Sequence, residues 1–308
     1  LVDAAAERLA DLERLARRTL EDGPGASPEL DRWLSSRMHE VLVGVHAAFP
    51  EYRFRDAAEL VYATVPGLVR RYLSRGGEPG PGLKAVGGAW IRLMSPITPH
   101  LAEELGQRPD GGLVAAEALP EPSRFEHSPE ALAAEALLDG VEEDLRSVLK
   151  PAAARGSVPD EVVFYVAAPW KHTVESWVRE GAAANRGASP VREVMERVAR
   201  HAELAPFRSE IPKYVGRVAP LVRTEPVPSG PAVDEVAVLK AAEAYLVRRF
   251  RFRSIAVYRE EESAPHDPLG RRERARPGRP AFYLFGGSAT AGAGAEPPRP
   301  DPLADRRD

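Results

Sequence analysis

The sequence predicts a mainly α protein: a helical bundle, then a small α+β domain, then a disordered tail. Three observations carry this. Apolar residues recur at helical spacing through the first hundred positions. Three short β-branched or aromatic runs occur in the second half, at 161–167, 254–258 and 281–285. From Gly286 onward Gly, Ala, Pro, Asp and Arg dominate, a composition that cannot bury enough apolar surface to fold.

The first helix spans 3–20, with Leu9, Leu12, Leu15 and Leu20 on one stripe, and Gly23-Pro24-Gly25 ends it. Ser27 before Pro28 reads as an N-cap with proline at the first helical position. The stripe Leu30, Leu34, Met38, Val41, Val45, Phe49 then runs to Pro50. A third helix covers about 55–75, with a bend expected at Pro66. After a loop at 76–82, the fourth helix carries Trp90-Ile-Arg-Leu-Met-Ser-Pro-Ile-Thr-Pro-His-Leu-Ala-Glu-Glu-Leu105. Pro96 has no amide donor and pushes Ser95 out of α geometry, so the helix must break there. Thr98 can cap a second segment that starts at Pro99. Four amphipathic helices with short connections predict an antiparallel bundle over 1–107.

Residues 108–128 read as a linker, 129–285 as the α+β domain and 286–308 as the tail. Within the second domain a helix is expected at 129–154, followed by a strand at 161–167 that Pro169 ends. Further helices are expected near 189–203, 208–221 and 232–250, and two more strands at 254–258 and 281–285.

Composition narrows the function. A length of 308 residues fits two domains, and 44% hydrophobic content is ample for real cores. With no cysteine, disulfides and thiolate metal sites are excluded, and a cytoplasmic home is the expectation. No apolar run approaches the roughly 20 residues of a membrane span, so no membrane partner is expected. A start at Leu1 suggests a fragment. Net charge is −4, yet residues 245–308 hold 13 basic and 9 acidic side chains, and a local positive field can steer a polyanion. Only five of the 42 basic residues are lysines, which reflects either phosphate binding by arginine or the base composition of the genome.

Catalytic signatures are missing. Gly80-Pro-Gly-Leu-Lys84 lacks P-loop spacing, and His39 and His46 are seven positions apart rather than the four of a zinc-binding helix. Catalytic and metal-ligating residues are therefore expected to be none.

Several motifs carry a family likeness. The Trp90–Leu105 segment, Glu29-Leu-Asp-Arg-Trp-Leu-Ser-Ser-Arg37 and Tyr52-Arg-Phe-Arg-Asp-Ala-Ala58 resemble the anticodon-binding bundle of class I aminoacyl-tRNA synthetases. Val163-Phe-Tyr-Val-Ala-Ala-Pro-Trp-Lys171 and Arg279-Pro-Ala-Phe-Tyr-Leu284 resemble the carboxy-terminal domain of the archaeal-type leucyl-tRNA synthetases. That family attaches leucine to its tRNA with ATP and Mg2+, but the His-Ile-Gly-His and Lys-Met-Ser-Lys-Ser signatures of its catalytic domain are absent here, as is its editing domain. The likeness therefore implies a recognition portion without cofactors of its own. Its expected partners are leucine tRNA, through the anticodon-stem side and long variable arm, and a catalytic domain, with the chain otherwise a monomer. A stand-alone RNA-binding accessory protein, a helical protein-interaction module, and the same region of a valyl, isoleucyl or methionyl enzyme are the alternatives.

Candidate RNA contacts follow from residue type. Arg32, Trp33 and Arg37 share one helix, where Trp33 either stacks on RNA or packs in the bundle; packing is preferred. Trp170 and Lys171 follow a strand, where they either meet unstacked bases or staple the helix to the sheet. Arg248, Arg249, Arg251 and Arg253 precede one strand, and Arg271 and Arg272 begin the arginine-rich stretch before another. If 251–258 is extended, Arg251 and Arg253 share a face, and the two groups are expected to form one positive patch across a hairpin-like pair of strands.

Overall fold

Ser27 starts α2 (Pro28–Ala48) as its sequence requires, accepting the Leu30 N–H at 3.3 Å. The structure is a computed structural model that describes residues 2–107, 111–184, 190–225, 230–262 and 267–287. The amino-terminal half comprises α1 (Val2–Leu20), α2, α3 (Phe54–Glu59), α4 (Val65–Ser74), α5 (Pro81–Met94) and α6 (Pro99–Leu105). These bury Leu34, Met38, Leu42, Val61, Tyr72 and Trp90 in one core. Gly87 is required where α5 crosses α1, since a Cβ there would lie 1.9 Å from Thr19 Oγ1.

Pro66 acts one turn earlier than expected. Leu60–Thr64 forms a π-helical turn, and the Val65 N–H bonds back to Leu60 O. In that register Val61 O would need a donor from Pro66, which has none. The indole N–H of Trp90 supplies it instead, at 2.8 Å from Val61 O. The break after Met94 falls where Pro96 demands it, but Thr98 does not cap α6 through its side chain. Its hydroxyl pairs with Tyr62 OH at 2.6 Å.

The segment 111–128 is not a free linker. It runs along α2, with His46 Nε2 at 3.0 Å from Pro120 O and His39 Nδ1 at 3.0 Å from Pro122 O. The Ser128 N–H donates to the buried Ser36 hydroxyl at 2.8 Å. From there α7 (Pro129–Ala154) passes from the bundle to the second half.

That half holds β1 (Glu161–Val166), α8 (Pro169–Ala183), α9 (Pro190–Val198), α10 (Ile211–Thr224), α11 (Glu235–Ala241), α12 (Glu243–Phe250), β2 (Ser254–Arg259) and β3 (Ala281–Phe285). The helix expected over 232–250 is two, broken at Ala242. Strand order is β2-β1-β3, with β1 parallel to β2 and antiparallel to β3. Alternation along β1 sends Val162, Phe164 and Val166 toward α7, α11 and α12. A separate core joins α8, α9 and α10 through Trp170, Val174, Val198, Tyr214 and Val218. From residue 288 the expected disordered tail lies outside the described residues. Among the described residues no helix is long and apolar enough to cross a membrane.

Candidate nucleic-acid interface

The stretch Arg271-Arg-Glu-Arg-Ala-Arg-Pro-Gly-Arg279 places its side chains in two directions. Asp267 receives the Arg271 and Arg272 N–H groups at 2.6 and 3.1 Å, which starts a short 3-10 turn at 271–274. Pro277-Gly278 then closes a two-residue turn between Arg276 and Arg279, whose backbones exchange hydrogen bonds of 3.1 and 2.9 Å. Gly278 has φ 72°, a left-handed value that glycine adopts without strain.

Three anchors hold this excursion inward. Lys171 donates from Nζ to Glu260 Oε1 at 2.6 Å and to the carbonyls of Glu273 and Ala275 at 2.9 and 3.1 Å. Arg276, 7% exposed, donates to both oxygens of Glu175 (3.3 and 3.0 Å) and of Glu225 (2.9 and 2.8 Å). Burial pushes the Glu175 carboxyl up, but hydrogen bonds from Arg276 and Tyr214 outweigh it and hold the group below the usual carboxylate range. The third anchor is the Gly278 N–H, which donates to Glu235 Oε1 at 2.8 Å.

This arrangement corrects the reading of Trp170 and Lys171 as RNA contacts. Trp170 is 5% exposed, stacked on Phe207 with Tyr214 at its edge. Lys171 is 2% exposed and spends its donors on the protein. Both support the segment that carries the arginines. Arg276 was missed as a buried anchor; its only sequence signal is a position just before a Pro-Gly turn.

On the outward side, Arg271, Arg274 and Arg279 line a groove beside β3 and the carboxy-terminal part of α7. Among the described residues, the Arg271 and Arg274 side chains form no ion pair with a carboxylate. Arg279 pairs with Asp144 at 3.9 Å. Arg272 instead leans on Asp267 at 3.8 Å.

The earlier arginines lie elsewhere. Arg251 is not extended: it closes α12 at φ 60°, and β2 begins at Ser254. It therefore shares no strand face with Arg253. Arg253 pairs with Glu161, and Arg248 donates to Ser74 O at 3.2 Å. Nor do β2 and β3 form a hairpin, since β1 separates them. Ser254 pairs with Glu161 at the start of β1, and Ala281 with Tyr165 near its end. Four residues, or about 13 Å of strand, part the two arginine groups. The expected single patch is thus two regions. Among the described residues, exposed Arg249 and Arg251, like Arg274, face no carboxylate within ion-pair distance.

On α2, Trp33 is 6% exposed within the bundle core, which settles its choice in favour of packing. Arg32 bonds Pro28 O at 3.3 Å and Arg37 pairs with Glu40 at 2.5 Å, both at the surface.

A second feature escaped the sequence reading. Arg71 of α4 enters an acidic cluster on α7, with Glu135 at 2.7 Å, Asp139 at 2.8 Å and Glu142 in direct contact. Tyr245 of α12 donates to Glu142 Oε1 at 2.7 Å, and Arg75 lies 4.6 Å over its ring. These contacts join the bundle, α7 and the sheet domain. Among the described residues no cluster of three or more His, Asp or Glu could hold a metal ion.

Residues 31–158 match the anticodon-binding domain of tRNA ligase. The leucine–tRNA ligase of Methanothrix thermoacetophila is 28% identical over 291 residues, which cover 92% of this chain and 29% of that protein. The Methanosarcina acetivorans enzyme of the same name is 29% identical over 304 residues (92% and 30%). That of Methanocaldococcus jannaschii is 27% identical over 276 residues (88% and 26%). The chain spans at most about three-tenths of the length of these relatives.

Proposed function

We propose, from the match of residues 31–158 to the anticodon-binding domain of tRNA ligase, that the chain is the tRNA-recognition portion of a leucine–tRNA ligase. The observation that carries this is the likeness to leucine–tRNA ligases through both halves, bundle and sheet domain alike. On this reading leucine tRNA is the partner, with the bundle facing the anticodon-stem side and the sheet domain the long variable arm. Leucine activation, with its ATP and Mg2+, belongs to a catalytic domain outside these residues, and the setting is the cytoplasm.

The arginines supply a physical means. Among the described residues the side chains of Arg271, Arg274, Arg249 and Arg251 have no carboxylate partner, so each can exchange condensed counterions for a phosphate at little internal cost. Glu260 engages Lys171, which takes one of the neighbouring acids out of competition with RNA. Titration of a leucine tRNA transcript across salt tests the reading. Log affinity is expected to fall with log salt at a slope of about −3 to −4, near 0.9 per phosphate contact. A salt-independent affinity would contradict it.

A further inference from the structure

The parallel strands β1 and β2 end side by side, with Val166 in register with Arg259. At their carboxyl ends lies a cavity of about 300 Å³, at the lower bound of small-ligand sites. Crevices at this end of parallel strands are where sheets flanked by helices take their ligands. Val166, Ala167, Pro169 and Val233 give the cavity an apolar wall. Its polar groups are His172 of α8, Asp234 and Glu235 at the start of α11, and Arg259.

Glu235 is the group that points to a ligand. It is 4% exposed, and its Oε1 accepts the Gly278 N–H at 2.8 Å. Oε2 is buried and has no hydrogen-bond partner among the described residues, a rare and costly state for a carboxyl oxygen. Nor does a cation of the described residues neutralise it. His172 Nε2 lies 3.8 Å from Oε1, but burial lowers its pKa and keeps the ring largely neutral near pH 7. Arg259 pairs instead with the exposed Asp234 at 3.6 Å. Burial pushes the Glu235 carboxyl up to about 7, and the carboxylates of Asp234 and Glu175 push the same way.

These facts select among ligands. A metal ion needs several donors, and no cluster of three or more His, Asp or Glu among the described residues could hold one. A guanidinium pairs best with both oxygens of a carboxylate, but Oε1 is already engaged by Gly278. An ammonium is a compact point charge that one oxygen can serve. We propose that this cavity binds a small primary ammonium compound, its N–H donors on Glu235 and its short aliphatic body against Val166, Pro169 and Val233. Arg259 also lines the cavity and can take a carboxylate, so the ammonium comes from either a plain amine or a free α-amino acid. None of these residues belongs to the arginines assigned to RNA above, so the site stands whether or not the chain binds tRNA.

NMR titration of the chain with butylamine, L-norvaline and butyrate tests the site. Both amines are expected to saturate the amide shifts of His172, Val233 and Asp234 with Kd on the order of 1 mM, and butyrate is expected to leave them unchanged. An ammonium pairs with the ionised carboxyl. A group titrating at about 7 goes from about one-tenth to about nine-tenths ionised between pH 6 and pH 8, so amine affinity is expected to rise about tenfold over that range. Glu235→Gln keeps an acceptor for Gly278 and removes the charge; it is expected to weaken both amines at least about tenfold. The pH profile and the butyrate comparison use the wild type, so they decide the matter even if that variant folds poorly. In Arg259→Leu, a loss confined to norvaline identifies an amino acid as the ligand, and unchanged binding of both amines identifies a plain amine; either result supports the ammonium site. Saturation of the same amides by butyrate, a pH-independent affinity, equal binding by a folded Glu235→Gln, or no binding of either amine would overturn the proposal.

Discussion

Glu235 sits at the start of α11, 4% exposed, with Oε1 bonded to the Gly278 N–H and Oε2 buried without a partner. Burial pushes its carboxyl up to about 7, against the lowering effect of the Gly278 N–H. His172 lies 3.8 Å away, its own pKa lowered by burial. A folded-state pKa above the unfolded value means that Glu235 favours the fold below about pH 4.5 and that this contribution is lost as pH rises to about 7. Glu235→Gln keeps an acceptor for Gly278 and removes the charge. Its melting temperature relative to wild type is expected to rise between pH 4.5 and 7 and then level off, an effect on the order of 3 kcal/mol. A pH-independent difference would contradict this.

Such residues were not legible in the sequence, because burial is decided by what covers a side chain. Arg276 and Arg274 look alike in Arg-Glu-Arg-Ala-Arg, yet one is an anchor and the other faces the groove. Trp170-Lys171 could be read as contact or scaffold until Glu260 and the Glu273 carbonyl were found on the lysine.

At the scale of elements, the local rules did better. The Ser27-Pro28 pair and Pro99 placed the starts of α2 and α6, and the three strands fell on the three β-branched or aromatic runs. What failed was long-range. The π-helical turn before Pro66 depends on Trp90 reaching Val61 O from another helix, and the two arginine groups are parted by β1, whose central position no local pattern encodes. The Arg71 cluster belongs to this class, since its acids come from α7 and its tyrosine from α12. Burial alone would raise the Glu142 carboxyl, but hydrogen bonds from Tyr245 and Arg71 hold it below the usual range. Arg71→Met leaves Glu135 and Glu142, which are 5% and 1% exposed, with Arg75 and Arg146 as their remaining cationic partners. It is expected to cost about 2–3 kcal/mol in urea unfolding, less than a buried charge left with no partner. The further change of both acids to glutamine is expected to recover part of that loss. A change below about 1 kcal/mol would show that the cluster does not tie the halves together.

Across the whole molecule, α7 and the Arg71 cluster join the helical bundle to a sheet domain whose arginines stand on a buried scaffold. A tRNA meeting both halves at once would gain from a pre-set spacing between them, because less freedom is lost on binding. The most direct test of the central claim is the ratio of affinities for leucine tRNA and for a tRNA with a short variable arm, at the same salt. Both RNAs carry backbone charge for non-specific contact, so the ratio isolates what the long arm adds. A preference of about tenfold or more, near 1.4 kcal/mol, that is diminished by Arg274→Glu is the expected result. Equal affinity for the two tRNAs would contradict the account.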